Sequence, residues 1–132
     1  MRYTLSGELP PAYACHCREC KKQTSSAFSM SAVVAFARIS VRGEPKCHER
    51  TAHSGASKQC YFCPDCGTRL WNRSSASPGK VTLKIGTLDD SAAIVPQGHL
   101  WLSYKQAGIF LDPDVPGFDT QPDDLSAWRE SL

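Results

Sequence analysis

The sequence predicts one mostly β domain of short strands stapled by metal. Three observations predict it. Val81-Thr82-Leu83-Lys84-Ile85 alternates apolar and polar residues as a half-buried strand does. No segment sustains the 3.6-residue period of an amphipathic helix. Seven cysteines, two groups of them at metal-ligand spacing, occur in only 132 residues.

The elements follow along the chain. Cys17 to Gln23 predicts one or two helical turns with the polar side chains outward. Phe28 to Val41 is rich in Val, Phe and Ile and is long enough for one bent strand or two. Tyr61-Phe62 and Leu70-Trp71 flank the Cys-Pro-Asp-Cys-Gly turn and predict a hairpin. Ser74 to Gly79 reads as a loop of small residues before the Val81 strand. Ala93 to Val95 and His99 to Leu102 predict two further strands around Pro96-Gln97-Gly98. From about residue 112 the chain is expected to run as an irregular acidic segment of a single domain spanning 1–132. Leu125 to Ser131 can form a last short helix after Pro122-Asp123-Asp124.

Composition narrows the function. A net charge of +2 is too small to argue for a nucleic-acid partner, and none is expected. Residues 112–132 carry a balance of −5, so residues 1–111 carry +7, a field that can attract a small anion. No apolar run approaches the roughly 20 residues of a membrane span. The N-terminal residues have Arg2 but no apolar stretch or small-residue cleavage site, so no secretory signal is expected and the expected location is cytoplasmic. In a reducing compartment these cysteines are metal ligands or catalytic groups rather than disulfides.

The cysteines fall into two clusters. Cys63-Pro64-Asp65-Cys66-Gly67 has the form of a zinc knuckle: two intervening residues let a tight turn aim both sulfurs at one ion, and Gly67 permits a positive φ. Cys15-His16-Cys17-Arg18-Glu19-Cys20 carries three thiols. If Cys15 ends a strand, Cys15 and Cys17 point the same way and a short helix brings Cys20 beside them. Such a set leaves a fourth tetrahedral position open, as catalytic zinc sites do. Spacing equally allows Cys17, Cys20, Cys63 and Cys66 to form one closed site, as in a zinc ribbon. Cys60 can be a further ligand or a buried small apolar residue, and Cys47, His48 and His53 lie in a polar stretch. His16 is a candidate proton shuttle or neighbour of the ligands. His99, on one face with Trp101, is a candidate pocket residue.

Cys15-His16-Cys17-Arg18-Glu19-Cys20-Lys21-Lys22-Gln23-Thr24 with Ser26-Ala27-Phe28, Phe62 to Thr68, Gly86 to Asp90, and Pro96 to Trp101 resemble the glutathione-dependent formaldehyde-activating enzymes. The resemblance runs from Arg2 to about Phe118. It implies several short coiled antiparallel sheets similar to the R-form methionine sulfoxide reductases. It also implies two separate zinc sites: Cys15, Cys17 and Cys20 hold a catalytic zinc, and Cys63 and Cys66 hold half of a structural one. Members carry a C-x-C-G motif before the Arg-Tyr pair where this sequence has Met1, so either Cys60 or a histidine substitutes in the second site, or that site is empty, or the chain lacks its natural start. Ser25 stands where the family usually has glycine.

The implied activity is that of a carbon–sulfur lyase joining glutathione or a related thiol to formaldehyde or a similar small aldehyde. Zinc is the implied cofactor. Arg18, Lys21 and Lys22 are near enough in sequence to meet the glutathione carboxylates, or else form a solvated helix face, and His99 and Trp101 are candidate substrate-pocket residues. Two other functions fit the residues alone. One is a non-catalytic zinc module for a protein or nucleic-acid partner. The other is a methionine sulfoxide reductase-like enzyme, which would need Cys47 or Cys60 as a metal-free redox thiol.

Overall fold

Nine strands and two short helices make up the chain, which a computed structural model describes over all 132 residues, Met1–Leu132. The fold is mainly β, as predicted. Two compact units share the chain: Met1–Pro10 with Ala32–Thr87, and Pro11–Ser31 with Leu88–Leu132.

In the first unit β1 (Arg2–Leu5) pairs antiparallel with β4 (Ile39–Arg42). The Phe28–Val41 stretch divides: β3 (Ser29–Ala35) and β4 are separated by a 3-10 turn at Phe36–Arg38. Arg38 locks that turn by donating from Nε to the Ser6 carbonyl at 2.8 Å. β5 (Lys46–Thr51), β6 (Ser57–Phe62), β7 (Arg69–Ser74) and β8 (Lys80–Lys84) follow as antiparallel neighbours in that order. The predicted hairpin is β6–β7, with Tyr61 opposite Trp71. Trp71 is the centre of this unit. It is 1% exposed, stacks on Tyr61 at 5.8 Å, and meets the Tyr3 ring edge-on at 5.9 Å. Leu83 sits opposite it on β8. Sequence reasoning missed β5, because Lys-Cys-His-Glu-Arg-Thr has no apolar face; it is an exposed edge strand, where charged side chains deter pairing with other chains.

The second unit is built on β2 (Tyr13–Cys15), buried along its length. β2 pairs antiparallel with the first residues of β3, Tyr13 opposite Ser31 and Cys15 opposite Ser29. On its other side it runs parallel to β9 (His99–Leu100), with Cys15 opposite Leu100. Strand β9 is shorter than predicted, and Ala93–Val95 is not a strand. Ile94 donates its N–H to Ser91 in a turn, and Pro96 follows with no donor to offer a ladder.

Residues 112–122 are irregular, and α2 (Leu125–Ser131) then forms where expected. The Asp124 carboxylate caps α2 by accepting from Ala127 N at 2.9 Å. Trp128 packs edge-on against Tyr13 and Phe118, and Arg129 donates to the Tyr13 hydroxyl at 2.7 Å. Gly98 is required here, since a Cβ would lie 2.5 Å from the Trp128 ring.

Helix α1 (Arg18–Thr24) ends on Ser25, which holds φ 49° and donates its N–H to the Lys21 carbonyl. An L-residue in this left-handed region carries strain of about 1–2 kcal/mol, which glycine does not. Glycine's greater loss of chain entropy offsets part of that gain. Ser25→Gly is therefore expected to raise stability by about 0.5–1 kcal/mol. Urea unfolding of the two proteins measures it, and a less stable Gly variant would contradict the account.

Candidate metal centre

The local chain geometry of residues 15–20 brings three thiols together. Cys15 is the last residue of β2, and the backbone N–H of His16 still donates to Leu100 O at 2.9 Å. Cys17 leaves the strand with φ −62° and ψ 156° and becomes the N-cap of α1, its sulfur accepting from Cys20 N at 3.4 Å. One helical turn then returns Cys20 to the other two. The Sγ atoms of Cys15, Cys17 and Cys20 all lie within 4.8 Å of one another. This is the strand-end, short-helix arrangement that the spacing suggested.

Three thiols this close cannot ionise independently. The Cys17 thiol is held far below its ordinary value, because the Cys15 and Cys20 thiols and the backbone N–H groups of Cys20 and Glu19 donate to its thiolate. The Cys15 thiol is pushed far up: it supplies hydrogen bonds to Cys17 and Cys20, it is buried, and charge on either neighbour opposes its own. Tyr13, two residues upstream on β2, is pushed up to about 12, chiefly by burial.

The donor set suits a soft or borderline divalent ion. Sulfur is the only ligand type in the group, no disulfide consumes it, and no further Cys, His, Asp or Glu joins it as a fourth ligand. A divalent cation would replace the thiol protons and neutralise the repulsion among the sulfurs.

The histidines form a buried pair behind this group. His16 is fully buried, packs on Phe28 at 5.2 Å, and places Nε2 3.1 Å from His99 Nδ1. Its Nδ1 is buried without a hydrogen-bond partner. Burial lowers His16 to about 4, with His99 and the Lys105 and Lys21 ammonium groups adding to the effect. Burial also lowers His99. Both rings are thus neutral at pH 7, and one proton joins them. No sequence signal links positions 16 and 99; the parallel β2–β9 pairing does.

Of the remaining candidates, Arg18, Lys21 and Trp101 meet at Tyr104, and Lys22 does not. Arg18 stacks over the Tyr104 ring at 4.6 Å, and Trp101 stacks on the same tyrosine at 6.0 Å. Lys21 donates to Tyr104 O at 2.9 Å, and Lys22 pairs with Glu19 at 3.4 Å. Tyr104 is the residue that sequence reasoning missed.

Cys63 and Cys66 belong to the first unit and form the expected knuckle turn. Cys63 N donates to Thr68 O, Gly67 N donates to Cys63 O, and Gly67 holds φ 73°. Cys63 is buried and Cys66 exposed. The Thr68 hydroxyl, 3.1 Å from the Cys66 sulfur, lowers that thiol, and Cys63 adds to the effect. No third Cys, His, Asp or Glu completes a ligand group with them. Cys60 is a buried core residue, and Cys47 is exposed on edge strand β5.

The family model of the glutathione-dependent formaldehyde-activating enzymes matches residues 1–104. The chain belongs to that family. A crystal structure of a Rhodobacter sphaeroides protein shares the fold of this family member with a TM-score of 0.51, at 15% identity over 87% of each chain. No curated protein matches in sequence.

The buried histidine pair yields a pH dependence. His99 sits below its ordinary 6.5 when folded, so the unfolded chain binds more protons as pH falls below about 6.5, and stability is lost progressively through that window. His99→Asn, which cannot be protonated, should lose less stability between pH 7.5 and pH 5. Equal losses in the two metal-free proteins, measured by urea unfolding, would contradict it.

Proposed function

We propose that this family member is a zinc-dependent carbon–sulfur lyase that adds glutathione, or a closely related thiol, to formaldehyde or a similar small aldehyde. The single observation behind this is the group of three sulfurs, Cys15, Cys17 and Cys20, with no fourth protein ligand. A closed structural site would use a fourth side chain; a site that takes substrate would not.

Cys15, Cys17 and Cys20 would hold the ion. Zinc bound there would keep a substrate thiol deprotonated at neutral pH. Strand β2 supplies Cys15 from a buried position between two paired strands, so the thiols need little reorganisation. The neutral His16–His99 pair packs behind the loop and fixes its path without adding positive charge beside the thiolates. The +7 balance of residues 1–111 favours an anionic thiol such as glutathione. In the reaction the thiol gives up its proton to solvent, its sulfur forms a bond to the carbonyl carbon, the C=O π pair moves to oxygen, and that oxygen takes one proton from solvent. The product is the S-hydroxymethyl adduct, and the reverse reaction cleaves the carbon–sulfur bond. Holding the thiol in place removes part of the entropic barrier to the encounter. Cys63 and Cys66 take a structural role in this reading: their turn closes the β6–β7 hairpin, and with no third ligand beside them two thiols alone would hold zinc poorly.

No helix is long and apolar enough to cross a membrane. The substrates are small molecules, and the reaction needs no macromolecular partner.

Exchange NMR with 13C-formaldehyde and glutathione tests the proposal. The zinc-loaded protein should speed interconversion of free and adduct formaldehyde well above the spontaneous rate. Cys17→Ser should lose at least about 100-fold of that acceleration, as expected when a group that orients and activates a reactant is removed, while circular dichroism still reports the β fold. A zinc-loaded protein no faster than buffer would sink the reading, and so would full activity in Cys17→Ser.

A further inference from the structure

We propose that Arg18, backed by the Tyr104 ring, is the residue that recognises a carboxylate of the thiol substrate, with Tyr104 and Trp101 as its positioning residues. The inference rests on the thiol-binding role given to Cys15, Cys17 and Cys20.

The four cations on α1 and the segment after β9 are not equivalent. Lys21 spends its ammonium on Tyr104 O at 2.9 Å and Gln106 Oε1 at 3.3 Å. Lys105 donates to Ile109 O at 2.7 Å and Gln106 O at 3.3 Å. Lys22 faces the Glu19 carboxylate. Arg18 is exposed and has neither a hydrogen bond nor an ion pair; its guanidinium carbon lies over the Tyr104 ring, 4.6 Å from the centroid. A cation over an aromatic face spends none of its N–H groups on a hydrogen-bond acceptor, so the N–H edge of the Arg18 guanidinium keeps its donors. That edge is a planar fork matched to a carboxylate. A ring beneath it also restricts the side chain in advance, which lowers the entropic cost of binding.

The stack continues. Tyr104 and Trp101 lie nearly parallel, 16° apart, with centroids at 6.0 Å. Trp101 holds φ 62°, a left-handed conformation rare for so bulky a residue. Strain of this kind persists only where the surroundings impose it, and it concentrates at functional positions. Here Trp101 N donates to Thr120 O at 2.7 Å, and Tyr104 N donates back to Trp101 O at 3.0 Å. The turn so made faces the tryptophan ring onto Tyr104.

Arg18 and Trp101 both adjoin the thiol group along the chain. Arg18 follows Cys17 directly, and Trp101 follows Leu100, the register partner of Cys15. A thiol held by the cysteines therefore has, next along the chain, a pre-oriented cation with open donors. That pairing selects a thiol that also carries a carboxylate over one that does not.

Isothermal titration of the zinc-loaded protein with glutathione and with 2-mercaptoethanol, which has no carboxylate, tests this. Arg18→Ala should weaken glutathione binding about 10- to 100-fold, the range for a hydrogen-bonded charge, and leave 2-mercaptoethanol within about twofold. In turnover the loss should appear in KM rather than kcat. Tyr104→Ala should weaken glutathione about three- to tenfold, and Tyr104→Phe, which keeps the ring, should restore it. The glycine ethyl ester of glutathione then assigns the carboxylate: weak binding to the wild type marks the glycine carboxylate, and unchanged binding marks the γ-glutamyl one. Arg18→Ala binding glutathione like the wild type, or losing both thiols equally, would overturn the inference alone. A wild type that binds neither thiol would overturn the lyase reading beneath it.

Discussion

Strand β2 holds Cys15 between two neighbours, β3 and β9, and everything at the candidate site depends on that clamp. The strand is only three residues long, yet each residue is buried. The backbone of His16 is still tied to Leu100 when the chain turns, so Cys17 and the first turn of α1 start from a fixed point. Three sulfurs then share a space in which they cannot all be charged without a cation. The opposed displacements of Cys15 and Cys17 express this crowding. A more relaxed loop would let the thiols separate and would lose the reason to bind metal.

The same clamp organises the surroundings. The β2–β9 pairing carries His99 against His16 and delivers Trp101 to the turn that supports Tyr104. Tyr13, on β2 itself, is the surface on which Trp128 and Arg129 of α2 dock. The acidic C-terminal segment thereby ends in an ordered helix. The three cysteines, the two imidazoles and the residues around Tyr104 all belong to one unit of the chain, Pro11–Ser31 with Leu88–Leu132.

Much of this was legible in the sequence where the determinant is local. The Val81 alternation announced β8, the Cys-Pro-Asp-Cys-Gly turn announced the β6–β7 hairpin, and the C-x-C-x-x-C spacing announced a strand end followed by a helical turn. Chemistry that depends on pairing was not legible. His16 and His99 are 83 positions apart, and no local pattern says that one strand will lie beside the other. The cationic side chains looked equivalent in sequence; only the positions of Tyr104 O, Gln106 and Glu19 distinguish Arg18 from Lys21 and Lys22. The predicted Ala93–Val95 strand failed because an apolar run needs a partner edge as well as apolar side chains, and here a turn took its N–H group. Ser25 is a local departure with a visible consequence, a left-handed residue that keeps its Cβ.

X-ray absorption at the zinc edge, on protein loaded with a single equivalent of zinc, tests the central claim most directly. The account predicts three protein sulfurs around zinc in the absence of thiol and a fourth sulfur on addition of glutathione. A shell of four protein sulfurs from the start, or a sulfur count that glutathione leaves unchanged, would contradict it.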